Sequence, residues 1–439
     1  MGEHGYRHLG SHAFGPDMRV ERYRLDNGLR LLFLRDERAP VFCYETWFDV
    51  GSRHEQPGRT GIAHFFEHLM FQETETLPYG ELDRRYEEAG AEINAATYLD
   101  WTYYVINAPR EALPLVIATE SERMHRLTLA PEHIESEREV VLNERRQVVD
   151  DDVEGAASEL LFRTAFQAHG YGHPTIGSAA DIAGFQREDC LAFYRTHYAP
   201  NNAVVVVVGD VAPAELLGGL VQGYGPIAPA ELPVEDVRPE PPQQAERRVE
   251  LHKPTPHPKL GIGYHAPAFG DVDHAPLVLL NEILTGGRAS RLYRRLVTES
   301  ELASLVRGVV GSFRDPSLFE LWLTARTSAA LPTLAGEVDL LLEAVVREPV
   351  SARELERAKA RAELGSLQGL ETVGGKAEQL GFGEIVLGDP CVLWSRLEAF
   401  RRATRADLLR VARRYLGRDN RSVVTIWPQA GEAESEAAQ

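Results

Sequence analysis

Cysteine is scarce. Cys43, Cys190 and Cys391 are the three in 439 residues, and they lie far apart. Without a C-x-x-C pair, the chain has neither the pattern of a cysteine zinc site nor a disulfide framework. The count suits a reducing, cytoplasmic compartment and is compatible with the periplasm. Long apolar runs are missing as well. No stretch of 18 apolar residues occurs, so no membrane insertion is expected. The opening MGEHGYRHLGSHAFGPDM holds no apolar core of a signal peptide. Basic charge is in deficit, 47 Lys and Arg against 66 Asp and Glu, a net charge of −19. Such a surface repels nucleic acid and anionic membrane, and it suits a basic or unfolded peptide partner.

What is present is globular: 44% hydrophobic and 26% charged residues. The length suits two domains of about 200 residues each. Residues 187–202 read REDCLAFYRTHYAPNN, followed by a valine run. Residues 405–420 read RADLLRVARRYLGRDN, followed by VVTIW, at an offset of 218 residues. Both spell an amphipathic helix, a turn and a buried strand, so a duplicated α/β domain is expected. Between the halves, residues 225–248 hold six prolines and little apolar periodicity, which reads as an extended linker. The expected organisation is domain one over 18–224, the linker, domain two over 249–428, and a polar acidic tail over 429–439, disordered by composition.

Within domain one, 19–25 and 29–34 read as a hairpin around Asp-Asn-Gly, and 41–49 as another strand. Helices are expected over 59–72, with Thr60 a candidate N-cap, and over 80–89, 111–127 and 131–150, the last opened by Pro131. Residues 91–106 alternate like strands. The fold class that follows is α+β: two duplicated α/β sandwich domains, each a mostly antiparallel sheet with helices packed on it, joined by the Pro-rich linker.

Residues 64–68 read His-Phe-Phe-Glu-His. On a helix, His64 and His68 share a face and can direct two imidazoles at one metal, with Glu67 on the same side to take a proton from a bound water. This is the H-x-x-E-H order of the inverted zincins. Zinc needs a third protein ligand, and the helix over 131–150 offers Glu132, Glu135, Glu137, Glu139 and Glu144. Glu137 and Glu144 are two turns apart on one face. Interleaved arginines also allow these acids to be a solvated surface. Two histidines and a carboxylate favour Zn2+ over other divalent metals. Trp47, Phe65, Phe66 and Phe71 could line a specificity pocket, though such aromatics are more often core, with Phe65 a candidate for partial exposure near the metal. His169 and His173 read as a structural turn.

The chain resembles the pitrilysin family, which includes insulysin and the mitochondrial processing peptidases, and within it the short two-domain members that act as dimers. The resemblance is carried by GSRHE (51–55), HFFEHLMF (64–71), residues 79–104, YGHPTIGS (171–178) and YAPNNAVVVVVGDV (198–211), and in domain two by GGRASRLYRRL (286–296). It implies a zinc endopeptidase whose zinc domain is the first. The family's third ligand falls on Glu144, 76 residues beyond His68, and a supporting glutamate falls on Glu137. Glu67 becomes the general base. The strand holding Asn94, Ala95 and Ala96 becomes the edge to which a peptide adds as a strand. Arg291 matches the family's carbonyl-binding arginine. Two departures stand out. Domain two carries Leu280-Asn281-Glu282-Ile283-Leu284 in place of a metal motif, so one zinc is expected. Ser304 stands where the family's oxyanion-binding tyrosine belongs, and a missing oxyanion donor costs about 100- to 1,000-fold. The implied partner is a homologous subunit supplying the Arg/Tyr pair in a heterodimer, with a homodimer the other arrangement. The competing reading is a non-catalytic assembly subunit of the same fold.

Overall fold

The computed structural model describes residues 5–235 and 237–429. From residue 430 on, the expected acidic tail lies outside the described residues.

Seven strands form the first sheet: β1 (Tyr6–Phe14), β2 (Met18–Leu25), β3 (Arg30–Arg35), β4 (Val41–Phe48), β5 (Glu92–Thr97), β6 (Thr102–Pro109) and β7 (Ala203–Gly209). Their order is β1-β2-β3-β7-β4-β6-β5. Five strands form the second: β8 (Arg247–Lys253), β9 (Lys259–His265), β10 (Ala303–Val310), β11 (Leu318–Ala325) and β12 (Arg421–Pro428), in the order β10-β11-β9-β12-β8. The pairs β3–β7 and β8–β12 are parallel, and every other neighbouring pair is antiparallel. Without β1 and β2, the first sheet repeats the second strand for strand. β12 begins 218 residues after β7, the offset of the sequence repeat. The α+β duplication is therefore present in the fold.

β1 was not expected. Its sequence, YRHLGSHAF, is mostly polar and largely exposed, as suits the outermost strand of a sheet. The hairpin, β4 and the β5–β6 pair lie where the alternation placed them. The helix Pro131–Arg145 runs on as a wider turn to Asp150, matching the expected 131–150. Residues 225–246 carry no helix or strand among the described residues. No described helix is long and apolar enough to cross a membrane.

Contacts group the chain differently from the contiguous segments 18–224 and 249–428. One compact unit is Met1–Glu144, His173–Val237 and Leu367–Ser395; the other is Arg145–Gly172, Arg238–Ser366 and Arg396–Gln439. Each takes in a segment from the other half of the sequence. The reason lies in the central strands of the sheets, such as β7 and β9, which are buried on both faces and need cover on both. In the first unit Val204 to Val208 of β7 are fully buried. On β4, side chains alternate. Phe42, Tyr44 and Phe48 point to one face, where Tyr44 meets Tyr224 hydroxyl to hydroxyl at 2.9 Å and Phe48 stacks on Tyr198. Cys43, Glu45 and Trp47 point to the other, which the helix Val373–Leu387 covers. That helix approaches so closely that a Cβ on Gly381 would sit 2.2 Å from the Trp47 indole nitrogen. Three ion pairs fix it: Lys376 to Asp36 at 3.2 Å, and Glu384 to Arg22 at 2.8 Å and to Arg30 at 3.2 Å. In the second unit the helix Val153–Ala165 packs on β8, β9 and β12.

Candidate metal centre

The helix Ile62–Leu69 reads IAHFFEHL. Ile62, Ala63, Phe65, Phe66 and Leu69 are buried, which leaves His64, Glu67 and His68 on the remaining stripe. Two turns of helix are marginal alone, and here both ends are held by hydrogen bonds to buried side chains. The Glu55 carboxyl group accepts the backbone N–H of Gly61 at 2.7 Å and of Ala63 at 2.9 Å, satisfying two of the free donors at the helix start, and burial pushes it up to about 8 against these bonds. At the other end the fully buried Arg123 donates from Nε to the Met70 carbonyl at 2.8 Å. It also pairs with Glu120 and lies over the rings of Phe71 and Tyr104. The helix is shorter than the expected 59–72, and Thr60 is not its cap. The N-cap is Gly61 at φ 90°, and Thr60 turns instead to the Asp181 carboxylate. A Cβ at Gly61 would lie 2.4 Å from the Ile176 carbonyl oxygen, so the loop over 176–177 presses on the helix start.

The helix Pro131–Arg145 brings up the carboxylates. Glu144 Oε2 lies 3.3 Å from His68 Nε2 and 3.6 Å from His64 Nε2. His64, His68 and Glu144 each offer a ligand atom within 4.8 Å of the others. Glu144 Oε2 is buried yet receives no well-directed hydrogen bond, an acceptor that a cation would satisfy. Together with the donor set, this fits a zinc ion. Glu137, two turns earlier, places Oε2 3.3 Å from His68 Nδ1, and its Oε1 accepts from Gln72 Nε2 at 2.9 Å. Glu132, Glu135 and Glu139 are exposed, so of the five acids on this helix the fold brings two to the histidines.

Charge is unevenly divided. Burial pushes His64 down to about 4, against the pull of Glu144. Burial would lower His68 too, but the Glu137 and Glu144 carboxylates outweigh it and raise it to about 9. The His68 imidazole, 3.3 Å away, holds Glu144 below the usual carboxylate range. Burial raises Glu67, opposed by the Thr97 hydroxyl that donates to its Oε2. Thr97 ends β5, the free edge of the first sheet. On that edge Asn94 is exposed with Oδ1 turned back to the Ala95 N–H at 2.9 Å, and Ala95 and Ala96 are half-buried.

Residues 32–179 match the family described as "Insulinase (Peptidase family M16)", and residues 184–362 match the "Peptidase M16 inactive domain". A relative named zinc protease PqqE, from Helicobacter pylori, is 30% identical over 413 residues that cover 93% of each chain. The chain belongs to peptidase family M16. A crystal structure of a protease from Helicobacter pylori matches it with a TM-score of 0.88 and 29% identity, covering 93% of this chain and 99% of that one. The beta subunit of mitochondrial-processing peptidase from Lentinula edodes is 27% identical, covering 89% of this chain and 86% of that one.

The first M16 match spans His64 to Glu144, and the second spans Arg291 and Ser304. In the second unit Arg291 is held by Glu354 in a two-pronged pair, 2.7 and 2.9 Å, rather than left open. Ser304 is exposed on β10, its hydroxyl 3.4 Å from the Thr324 carbonyl. Phe65 is fully buried against Phe185, not partly exposed, because its side of the helix faces the core; Trp47 and Phe66 are core as well. His169 is buried, accepts from the Tyr171 N–H and pairs with Asp315. Sequence reasoning missed Thr97, Gln72, Glu55 and Arg123. Thr97 and Gln72 carried a weak signal, being polar residues beside the motif and the alanine edge. Glu55 lies in the matched GSRHE segment but showed no role there.

Proposed function

We propose that this chain is a zinc-dependent endopeptidase of peptides or unfolded segments. His64, His68 and Glu144 would hold the metal, and Glu67 would act as the general base. The observation that carries the reading is the convergence of two imidazoles and the Glu144 carboxylate beside Glu67. Bound zinc would supply a water acidified toward pKa about 7 and a polarised carbonyl. Glu67 takes the proton from the attacking water and passes it to the leaving amine. Its burial makes the carboxylate a stronger base, and the Thr97 hydroxyl keeps it aimed. The exposed edge of β5, with Asn94, Ala95 and Ala96, would pair with the substrate backbone.

The active assembly would include a homologous partner subunit supplying the Arg/Tyr pair, in keeping with the relative named a processing-peptidase subunit and with Ser304. A second reading, a non-catalytic subunit of this fold, draws support from the inactive-domain match over 184–362. One experiment separates them. The purified chain is assayed for zinc, then incubated with a mixed peptide library alone and with a co-expressed homologous subunit. Near-stoichiometric zinc with cleavage in the mixture is expected. A metal-free chain at neutral pH that cleaves nothing in either arm would establish the scaffold. Full activity alone, unchanged by Arg291→Ala, would remove the division of labour.

A further inference from the structure

We propose that Gln72 is a positioning residue of the metal centre: it fixes the Glu137 carboxylate, which in turn orients the His68 ring. The inference rests on the zinc reading above. Gln72 lies three residues beyond the metal helix, with its backbone N–H on the Leu69 carbonyl at 3.1 Å, and it is buried. Its amide donates to Glu137 Oε1 at 2.9 Å, while Glu137 Oε2 stands 3.3 Å from His68 Nδ1. Each carboxylate oxygen has a different partner, so the group cannot rotate without losing one of them. With Nδ1 turned to Glu137, the other ring nitrogen, Nε2, is presented to Glu144 at 3.3 Å. A histidine that binds metal through one nitrogen is ordinarily held through the other by such a carboxylate. The carboxylate itself needs an anchor, and here the anchor is a neutral amide. A neutral donor secures Glu137 without placing a positive charge beside a cation site.

The plain alternative is that Gln72 merely satisfies a buried acid. A two-variant cycle decides between them. The full-length chain is stripped, reloaded with zinc alone, and titrated against a chromophoric chelator at fixed pH. Gln72→Met keeps the length and removes the donor. It is expected to weaken zinc binding by up to about tenfold, since a partner bonded directly to a ligand is worth about 10- to 100-fold and Gln72 acts one step further out. In a Glu137→Ala background the same change should do nothing. Gln72→Glu, of the same shape, sets an acceptor against Glu137. Positioning predicts weaker zinc binding, whereas a simple field effect of the added negative charge predicts tighter binding. A Gln72→Met affinity within about twofold of the parent, an undiminished loss after Glu137 is removed, or tighter binding by Gln72→Glu would each overturn the inference. A parent chain that binds no zinc would instead sink the zinc reading, and this inference with it.

Discussion

Glu67 and Thr97 share a hydrogen bond between the metal helix and the sheet edge, and this gives the two side chains separable roles. Glu67→Gln is expected to keep stoichiometric zinc and lose about 100- to 10,000-fold in turnover. His64→Ala, His68→Ala or Glu144→Ala should instead abolish stoichiometric metal by atomic absorption. Thr97→Val should leave the metal in place and lower kcat more than it raises KM, because it frees the base without removing it; an unchanged kcat would refute that role. At this scale the H-x-x-E-H spacing announced two imidazoles and a carboxylate on one face. Glu144 was not legible from spacing alone, because interleaved arginines make the helix over 131–150 resemble a solvated face. It took the family resemblance to single it out. Glu55 was unreadable for another reason: a buried acid bonded only to backbone N–H groups leaves no partner pattern in the sequence.

The elements add constraints that no single residue shows. The metal helix is two turns long and held at both ends, so Arg123→Met should unpair the buried Glu120, free the Met70 carbonyl, and cost about 3–5 kcal/mol in denaturant unfolding. Two acids beside the helix Val373–Leu387, Glu45 on β4 and Asp36 just beyond β3, have opposite pH signatures. Burial pushes the Glu45 carboxyl up to about 8; Glu378 adds to the shift, while bonds from Trp47 and Cys43 oppose it. The folded carboxyl holds its proton more tightly than the unfolded one, so its contribution to stability is complete below its ordinary value of 4.5 and is lost as pH rises through about 8. Glu45→Gln should flatten that fall in a series of urea midpoints, and a parallel curve would refute the assignment. Asp36, held well below the carboxylate range chiefly by Arg38 and also by Lys376, contributes at neutral pH and loses its contribution as pH falls. Elements were largely readable where apolar periodicity was strong. β1 escaped notice because an outer strand with polar side chains on both faces shows no such period.

For the whole molecule, the duplication could be read from a helix-turn-strand repeat at a constant offset, and the strand orders bear it out. The exchange of segments between halves could not, because a periodic helix records which of its faces is apolar but not which sheet it will cover. A chain truncated after residue 237 would expose the Cys43, Glu45 and Trp47 face of β4 and strip Asp36 of its buried lysine. Such a fragment is expected to unfold without a cooperative transition, and an added peptide spanning 367–395 should restore one; a sharp melt by the fragment alone would disprove the dependence. The same arrangement bears on biosynthesis. A ribosome delivers residues in order, and the first unit's last segment is complete only when about nine-tenths of the chain has been made. Until then the nascent polypeptide carries a half-covered sheet with an exposed apolar face, a natural client for holding chaperones and a point at which slowed elongation favours aggregation.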